Sequence, residues 1–471
     1  MQRRINILRN LDWTTIFLYL ALVFMGWLNI YAAVYSEEHN SIFDVSQRYG
    51  SQLIWILAAL VIASVILLVD SRFYFVFANY IYVALLLLLV SVLIFGVEVN
   101  ASKSWFHIGS IRIQPAEFAK FATALALAKY MSSYGFKLFR FSSLSTIAFI
   151  TLLPAGLILL QNDTGSALVY TSFIFILYRE GLPHWVMLFL AFFIVLFIFV
   201  LVFNKFVLLV ILFGITMLLF ALLSQKYRDS IRFSLGVLGL GAILYGASEF
   251  FNLNISLYYL LLIPLVIAIP IALIYAYLNK IRLVLFLLFF LLSTLTFSFS
   301  VDYIFHNVLE RHHRERIMDL LGIESDPLGY GYNVNQSKIA IGSGGLMGKG
   351  YLQGTQTKYN FVPEQSTDFI FCTVGEEWGF LGSSVVIIVF VVFLLRLIRI
   401  AERQKEAFAR IYGYGVVSVF TFHTMVNIGM TIGVFPVIGI PLPFFSYGGS
   451  SLWAFTILLF IFLKFDSSRR D

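Results

Sequence analysis

The chain has 471 residues, 60% of them hydrophobic and only 12% charged, against about 25% charged in a soluble domain, so a water-soluble globular fold is excluded and a membrane protein indicated. The formal net charge of +7 does not point to nucleic acid, because the basic residues stand in short clusters between apolar segments, where they act as topology signals and contacts to anionic lipid. The single cysteine, Cys372, lies in an apolar stretch, which assigns it to packing rather than redox chemistry.

A basic N-terminus with Arg3, Arg4 and Arg9 precedes the apolar stretch 13–34. That stretch is too long for a signal-peptide core and lacks a small-residue cleavage site, so it reads as a retained first helix. A helix needs about 20 apolar residues to cross the hydrocarbon core. Spans are expected near 13–34, 52–69, 74–96, 115–131, 143–160, 166–179, 184–203, 206–224, 233–250, 255–278, 283–301, 378–398, 412–434 and 450–464. The fourth and sixth are short enough to be re-entrant or interfacial, which gives an all-α polytopic membrane protein of twelve to fourteen spans, about 14 if all cross.

Lys and Arg in short connections favour the cytoplasm. Lys129, Lys137 and Arg140 form one such cluster, Lys226, Arg228 and Arg232 a second, and Arg396, Arg399, Arg403, Lys405 and Arg410 a third. All fall on the side of the N-terminus if every span crosses, and so does the tail with Lys464, Arg469 and Arg470. The opposite, outer face receives the segment 97–114, the turn 161–165 and a connection from Asp302 to Asp368. A loop of that length in a compact membrane protein is usually functional, and its mixture of glycine clusters with Ile, Leu, Tyr and Phe fits a folded cap rather than a linker.

The loop opens with the charged run 310–316, in which Arg314 and Arg316 could present guanidinium forks to a diphosphate or simply face solvent. His312 and His313 are adjacent, so on a helix they diverge and do not readily share an ion. Asp326 precedes Pro327, which stops a helix from continuing and presents the carboxylate at a turn. Glycines 342, 344, 345, 348 and 350 surround Lys349. This is no Walker A motif, because Ser343 stands where glycine is needed and Gly350 where Ser or Thr is needed. Closely spaced glycines either bring backbone N–H groups to phosphate beside the Lys349 charge or serve a tight loop. Upstream, Glu117 and Lys120 lie three apart on an apolar helix and share a face. A charge at the membrane centre costs about 2.5–3.5 kcal/mol, so the pair either neutralises itself or faces a polar cavity. Lys103 and Trp105 fall at the outer interface, and the three prolines of the segment 433–451 preclude a continuous helix there.

In order, SDPLGYGYNVNQSKIAIGSGGLMGKGYLQGTQ (325–356) and FVPEQSTDFIF (361–371) resemble the extracellular loop of the SEDS family of peptidoglycan polymerases, with IAIGSGG, GKG and GTQ closer to its elongation branch than to its division branch. KSWFHIG (103–109), QPAEFAK (114–120) and GVFPVIGIPLPFFSYGGSS (433–451) extend the likeness. The resemblance implies transfer of glycan strands onto lipid II, with undecaprenyl diphosphate expelled and the anomeric centre inverted. It places the essential aspartate of the family at Asp326, here as general base, with cations stabilising the departing diphosphate. The chemistry admits a divalent cation there and identifies no metal ligand. Gln336, Ser337, Lys349, Gln356, Glu364, Arg314, Arg316, Lys103, Trp105, Glu117 and Lys120 are the substrate-contact candidates. The resemblance further implies a bacterial cytoplasmic-membrane location, an extracytoplasmic site, a class B penicillin-binding protein partner and other elongation-complex membrane proteins.

Two departures stand out. Ser366 occupies a histidine position of the family, and the family core of ten helices leaves the region 205–301 as an insert of about four more. The chain then divides into an N-terminal membrane region (1–204), the insert (205–301), the catalytic loop (302–368) and a C-terminal membrane region (369–471). A flippase for a lipid-linked precursor and a non-catalytic scaffold for a penicillin-binding protein are the competing readings. A flippase needs no essential outer carboxylate, and no inverted repeat of the transporter kind is visible.

Overall fold

The computed structural model of the chain describes residues 10–35, 42–99, 102–109, 111–253, 255–309, 311–323, 329, 331–359 and 361–469. The expected spans fall largely on helix, apart from the broken span 166–179 and the end of 412–434, and eleven helices among the described residues are long and apolar enough to cross a membrane. In chain order these are α1 (Trp13–Val34), α2 (Arg48–Leu68), α3 (Ser71–Phe95), α5 (Phe141–Leu159), α8 (His184–Val202), α9 (Lys205–Ser224), α10 (Tyr227–Phe250), α11 (Leu257–Leu278), α12 (Arg282–Asn307), α16 (Ile370–Glu402) and α18 (Gly449–Ser468). Shorter or more polar helices complete the set: α4 (Pro115–Met131), α6 (Thr164–Leu168), α7 (Ile174–Arg179), α13 (Arg311–Leu320), α14 (Tyr332–Ser343), α15 (Thr355–Lys358) and α17 (Ala407–Thr431). The protein is an all-α polytopic membrane protein.

The expected span 166–179 is not one helix. A 3₁₀ turn, Val169–Phe173, separates α6 from α7, and the Thr171 hydroxyl donates back to the Leu168 carbonyl at 2.6 Å, the local bond by which Ser and Thr compete with the helix ladder. Between α3 and α4 lies a small sheet that hydropathy does not reveal, with strands β1 (Val97–Val99), β2 (Ser102–Ile108) and β3 (Ile111–Ile113) in antiparallel order β1-β2-β3.

The helices gather into two compact units, one formed by Met1–Pro183 with Ser325–Asp471 and the other by His184–Glu324. The second unit contains all of the region 205–301 together with α8 and the residues up to 324. The stretch 302–368 is therefore shared, since its first part continues α12 to Asn307 and forms α13 in the second unit.

In the first unit α4 is central. Its alanines 116, 119, 122, 124, 126 and 128 are buried, and small side chains let neighbouring backbones approach closely. Above it the aromatic core converges on Phe444, whose ring centroid lies 4.9 Å from Tyr19, 5.2 Å from Phe420 and 6.0 Å from Phe455. One end of this unit is closed by ions. Asp12 caps α1 by accepting the Thr15 N–H at 3.1 Å, and it also accepts Arg396 at 2.7 and 3.2 Å and Arg403 at 3.0 Å. Arg403 pairs in turn with Asp466 of α18, so the first, antepenultimate and last helices are tied at a single point.

In the second unit Lys205, at the start of α9, pairs with Asp302 of α12 at 2.7 Å, and α11 carries Pro264 and Pro270 in its interior.

Burial pushes the Asp12 carboxyl up, but hydrogen bonds from Arg396 and Thr15 and the charge of Arg396 outweigh it and hold the group down at about 2. A depressed carboxylate contributes stability that is present above its unfolded value of about 3.9 and lost as pH falls through the folded one. Asp12→Asn is expected to lower the melting temperature of the detergent-purified protein at pH 7 by several degrees, a loss of roughly 2–3 kcal/mol. The gap between variant and wild type should shrink as the pH is taken from 4 towards 2, as read by tryptophan-fluorescence melting.

Candidate active site

The glycine-rich segment is a strap across a broken helix. In α16, Gly379 has φ +65° and ψ −160°, a conformation that favours glycine and interrupts the helical hydrogen-bond ladder. The strap supplies acceptors in its place, with Phe380 N–H donating to Gly345 O at 2.9 Å and Leu381 N–H to Leu346 O at 3.1 Å. It also donates, from Lys349 N–H to Glu376 O and from Gly350 N–H to Glu377 O, both at 3.0 Å. Any side chain at Gly344 or Gly348 would strike the backbone carbonyls of Gly375 or Glu377. These glycines serve close approach of two backbones.

Glu376 locks the strap. It is fully buried, and its Oε1 accepts Lys349 Nζ at 2.7 Å, Thr355 N–H at 2.7 Å and Gln356 N–H at 2.8 Å, while Oε2 accepts the Thr357 N–H and hydroxyl, each at 2.9 Å. A carboxylate set against the first turn of α15 and a cation is well satisfied. The Lys349 ammonium, expected from sequence to meet phosphate, points into this cluster and also donates to the Thr355 hydroxyl at 2.7 Å. Gln356 is half-buried beside it. Glu377 is 1% exposed, and neither of its carboxylate oxygens has a hydrogen-bond partner among the described residues.

A second layer is formed by 361–369. Glu364 is exposed, with φ +50°. The next residue, Gln365, donates to Ala33 O at 2.7 Å. Ser366, in the family's histidine position, accepts Arg48 Nη1 at 2.6 Å, and the same guanidinium lies 3.8 Å from Glu364 and 5.8 Å from the Tyr447 ring centroid. Tyr447 N–H donates to Ser366 O at 2.8 Å and the Ser446 hydroxyl to Thr367 O at 2.6 Å, so the broken segment 433–448 and the loop hold each other. Asn427 of α17 joins them by donating to both Asp368 O and Ile440 O.

Within the bundle lies a buried ionic cluster. Lys120 Nζ donates to Glu117 Oε2 at 2.8 Å and lies 3.0 Å from His423 Nε2 and 5.0 Å from the centroid of the Phe455 ring. All three ionisable groups are at most 4% exposed. An ammonium has no acceptor lone pair, so a hydrogen bond to it makes His423 Nε2 the acceptor. The proton then sits on Nδ1, which faces Pro441 O at 3.1 Å. The pair expected from sequence is therefore self-neutralising and also joined to the broken segment through a third member, His423.

The remaining candidates are scattered. Ser337 on α14 is buried and donates to Thr431 O at 2.8 Å, with Gln336 half-buried next to it. Lys103 and Trp105 lie on β2, where Lys103 Nζ donates to Ile94 O at 3.2 Å. Arg314 and Arg316 lie on α13 in the second unit. Asp326 lies outside the described residues. Among the described residues no group of three or more His, Cys, Asp or Glu side chains is placed to hold a metal ion.

Glu376→Ala would leave Lys349 and three N–H donors without their common acceptor. It is expected to destabilise the strap by roughly 3–5 kcal/mol, seen as a lower melting temperature and as new proteolytic cleavage between residues 344 and 359 in detergent. Unchanged melting and cleavage would remove Glu376 from its central place.

Residues 12–235 and 260–471 match the family model described as "Cell cycle protein" (FtsW, RodA, SpoVE). The chain is 35% identical to "Peptidoglycan glycosyltransferase RodA" of Treponema pallidum, covering 96% of both chains. It is 30% identical to "Peptidoglycan glycosyltransferase MrdB" of Escherichia coli K12, covering 94% of this chain and 90% of that one. Among solved structures, a chain of a peptidoglycan synthase complex superposes with a TM-score of 0.62 at 24% identity, covering 98% of both chains. The rod shape determining protein RodA of Thermus thermophilus gives 0.56 at 23%, likewise over 98% of each chain. A match over most of the chain places the protein in the FtsW/RodA/SpoVE family.

Proposed function

We propose that this protein is a peptidoglycan glycosyltransferase that polymerises lipid II into glycan strands for cell-wall elongation. The observation that carries the reading is 35% identity, over nearly the full length of both chains, to a protein named for that activity. The buried Glu117–Lys120–His423 cluster supports it from the structure, because three ionisable groups inside an apolar bundle mark a site rather than a packing element.

In this reaction the 4-hydroxyl of a lipid II GlcNAc attacks the anomeric carbon of the growing strand from the face opposite its diphosphate. The O4–C1 bond forms as the C1–O bond to undecaprenyl diphosphate breaks, and Asp326 accepts the hydroxyl proton. Negative charge grows on the departing diphosphate, where fixed cations in a water-poor site are most effective. Among the described residues Lys120 is the cation best protected from solvent. Glu117 and His423 orient its ammonium. Arg48, exposed beside Glu364 and Ser366 in the first unit, is a further candidate contact for diphosphate oxygens. A divalent cation could share that charge, and the described residues offer no cluster of three or more His, Cys, Asp or Glu side chains to hold one.

The end of the bundle closed by Asp12, Arg396 and Arg403 is the cytoplasmic one, in keeping with its excess of Lys and Arg, and the strap over α16 faces outward. A class B penicillin-binding protein is the partner, a reading supported by the origin of one structural neighbour in a peptidoglycan synthase complex.

Purified protein supplied with lipid II, with and without that partner, is expected to yield glycan chains, and Asp326→Ala to reduce the rate about 100-fold or more. Chain formation by Asp326→Ala at the wild-type rate would exclude it as the base. Lipid scrambling without polymerisation would instead identify a flippase, and activity of the complex unaffected by Asp326→Ala a scaffold. Lys120→Met alone would leave Glu117 buried without its cation, so the double variant Glu117→Gln with Lys120→Met, which removes both charges, is the one expected to fold and to lose a comparable factor. His423→Ala should lose less, because Glu117 still holds the ammonium.

A further inference from the structure

The second unit contains a cavity that the glycosyl-transfer reaction does not use. It has a volume of about 350 Å³ and lies among α9, α10, α11 and α12, within the usual range for small-molecule sites of about 300–1,000 Å³. Its wall is hydrocarbon, with Phe220, Phe233, Ala268, Ala272 and Leu287 prominent. The space exists because α11 turns alanines 268 and 272 inward, one helical turn apart, where longer side chains would fill it. The Thr216 hydroxyl in the wall is already spent on Leu212 O at 2.7 Å, so that group makes no demand for water.

One end of the cavity is charged. Asp229, Arg232 and Tyr275 line it, and the Tyr275 hydroxyl donates to Asp229 Oδ2 at 2.6 Å, which occupies that carboxylate oxygen. Lys226 lies 6.0 Å from the Tyr275 ring centroid. Arg232 has a side chain 79% exposed, stands 3.9 Å from Asp229 and makes no hydrogen bond among the described residues. Arg228, Lys280 and Arg282 are also exposed at the ends of α10, α11 and α12, with Lys226 and Asp229 at the same end of α10 as Arg228, so this end is rich in cations and its carboxylate is already engaged.

An apolar chamber with a basic mouth at a helix end is the shape of a site for an acyl chain with an anionic head. We infer that this cavity binds an anionic phospholipid, one acyl chain inside and the phosphate at Arg232 and Lys226. A polyprenyl substrate is disfavoured by distance. α12 begins at the basic end with Arg282 and runs 26 residues, about 39 Å, to Asn307, where the chain enters the 302–368 connection. Within the second unit the mouth and Asn307 are thus a bilayer's thickness apart along α12, and a ligand at the mouth belongs to the leaflet at the Arg282 end.

The test uses the full-length protein, delipidated in detergent and titrated with dioleoyl phosphatidylglycerol, dioleoyl phosphatidylcholine or undecaprenyl phosphate, with bound lipid counted by native mass spectrometry and melting followed in parallel. Phosphatidylglycerol is expected to bind in one saturable step and raise the melting temperature, with the phosphatidylcholine of identical chains roughly tenfold weaker or more. Arg232→Gln with Lys226→Gln, both exposed and outside the core, should remove that preference. Ala272→Phe should abolish the saturable step for every lipid. Equal binding of the two phospholipids, or phosphatidylglycerol binding unchanged in both variants, would overturn the inference. Preferential displacement by undecaprenyl phosphate would overturn it as well, in favour of a polyprenyl site.

Discussion

The carboxylate of Glu376 holds the outer part of the first unit in place. A buried ion persists only when every lone pair is met, and here the strap brings Lys349, Thr355, Gln356 and Thr357 to meet it. Because Glu376 sits just ahead of the break at Gly379, the group that anchors the strap belongs to the helix whose free N–H groups the strap satisfies. Loop and helix are two halves of one hydrogen-bonded structure. The second layer, 361–369, then rests between α1, α2 and the broken segment 433–448.

Charge inside this bundle follows a single rule, in which each buried ion is met by partners from elements distant in sequence. Glu117 and Lys120 share α4 but depend on His423 of α17 and Phe455 of α18. Glu377 is the exception, with two oxygens unpartnered among the described residues. It lies beside a neighbour whose carboxylate is fully engaged.

The membrane helices were legible because apolar length alone specifies them, and even the short α4 carried a signal in Glu117 and Lys120 on one face. The sheet Val97–Ile113 was not, since two of its three strands are only three residues long and leave too short a pattern to separate from a loop. Lys349 was taken from sequence as a phosphate contact, but its partner Glu376 lies 27 residues away, a distance no local pattern bridges. A usable signal for Glu376, Glu377 and His423 did exist. The cost of an ionisable group in an apolar helix, which singled out Glu117, applies to them equally. Ser366 was marked as a departure from the family, and only the fold reveals Arg48 donating to it. Asp326 rests on resemblance alone.

The latch at Asp12 closes the first unit through its own extremities. The first helix is clasped to Arg396 and Arg403, and Arg403 to Asp466 near the far end, and every one of these residues lies outside the stretch 184–324 that forms the second unit. Changes within that stretch therefore leave the ionic closure of the first unit in place.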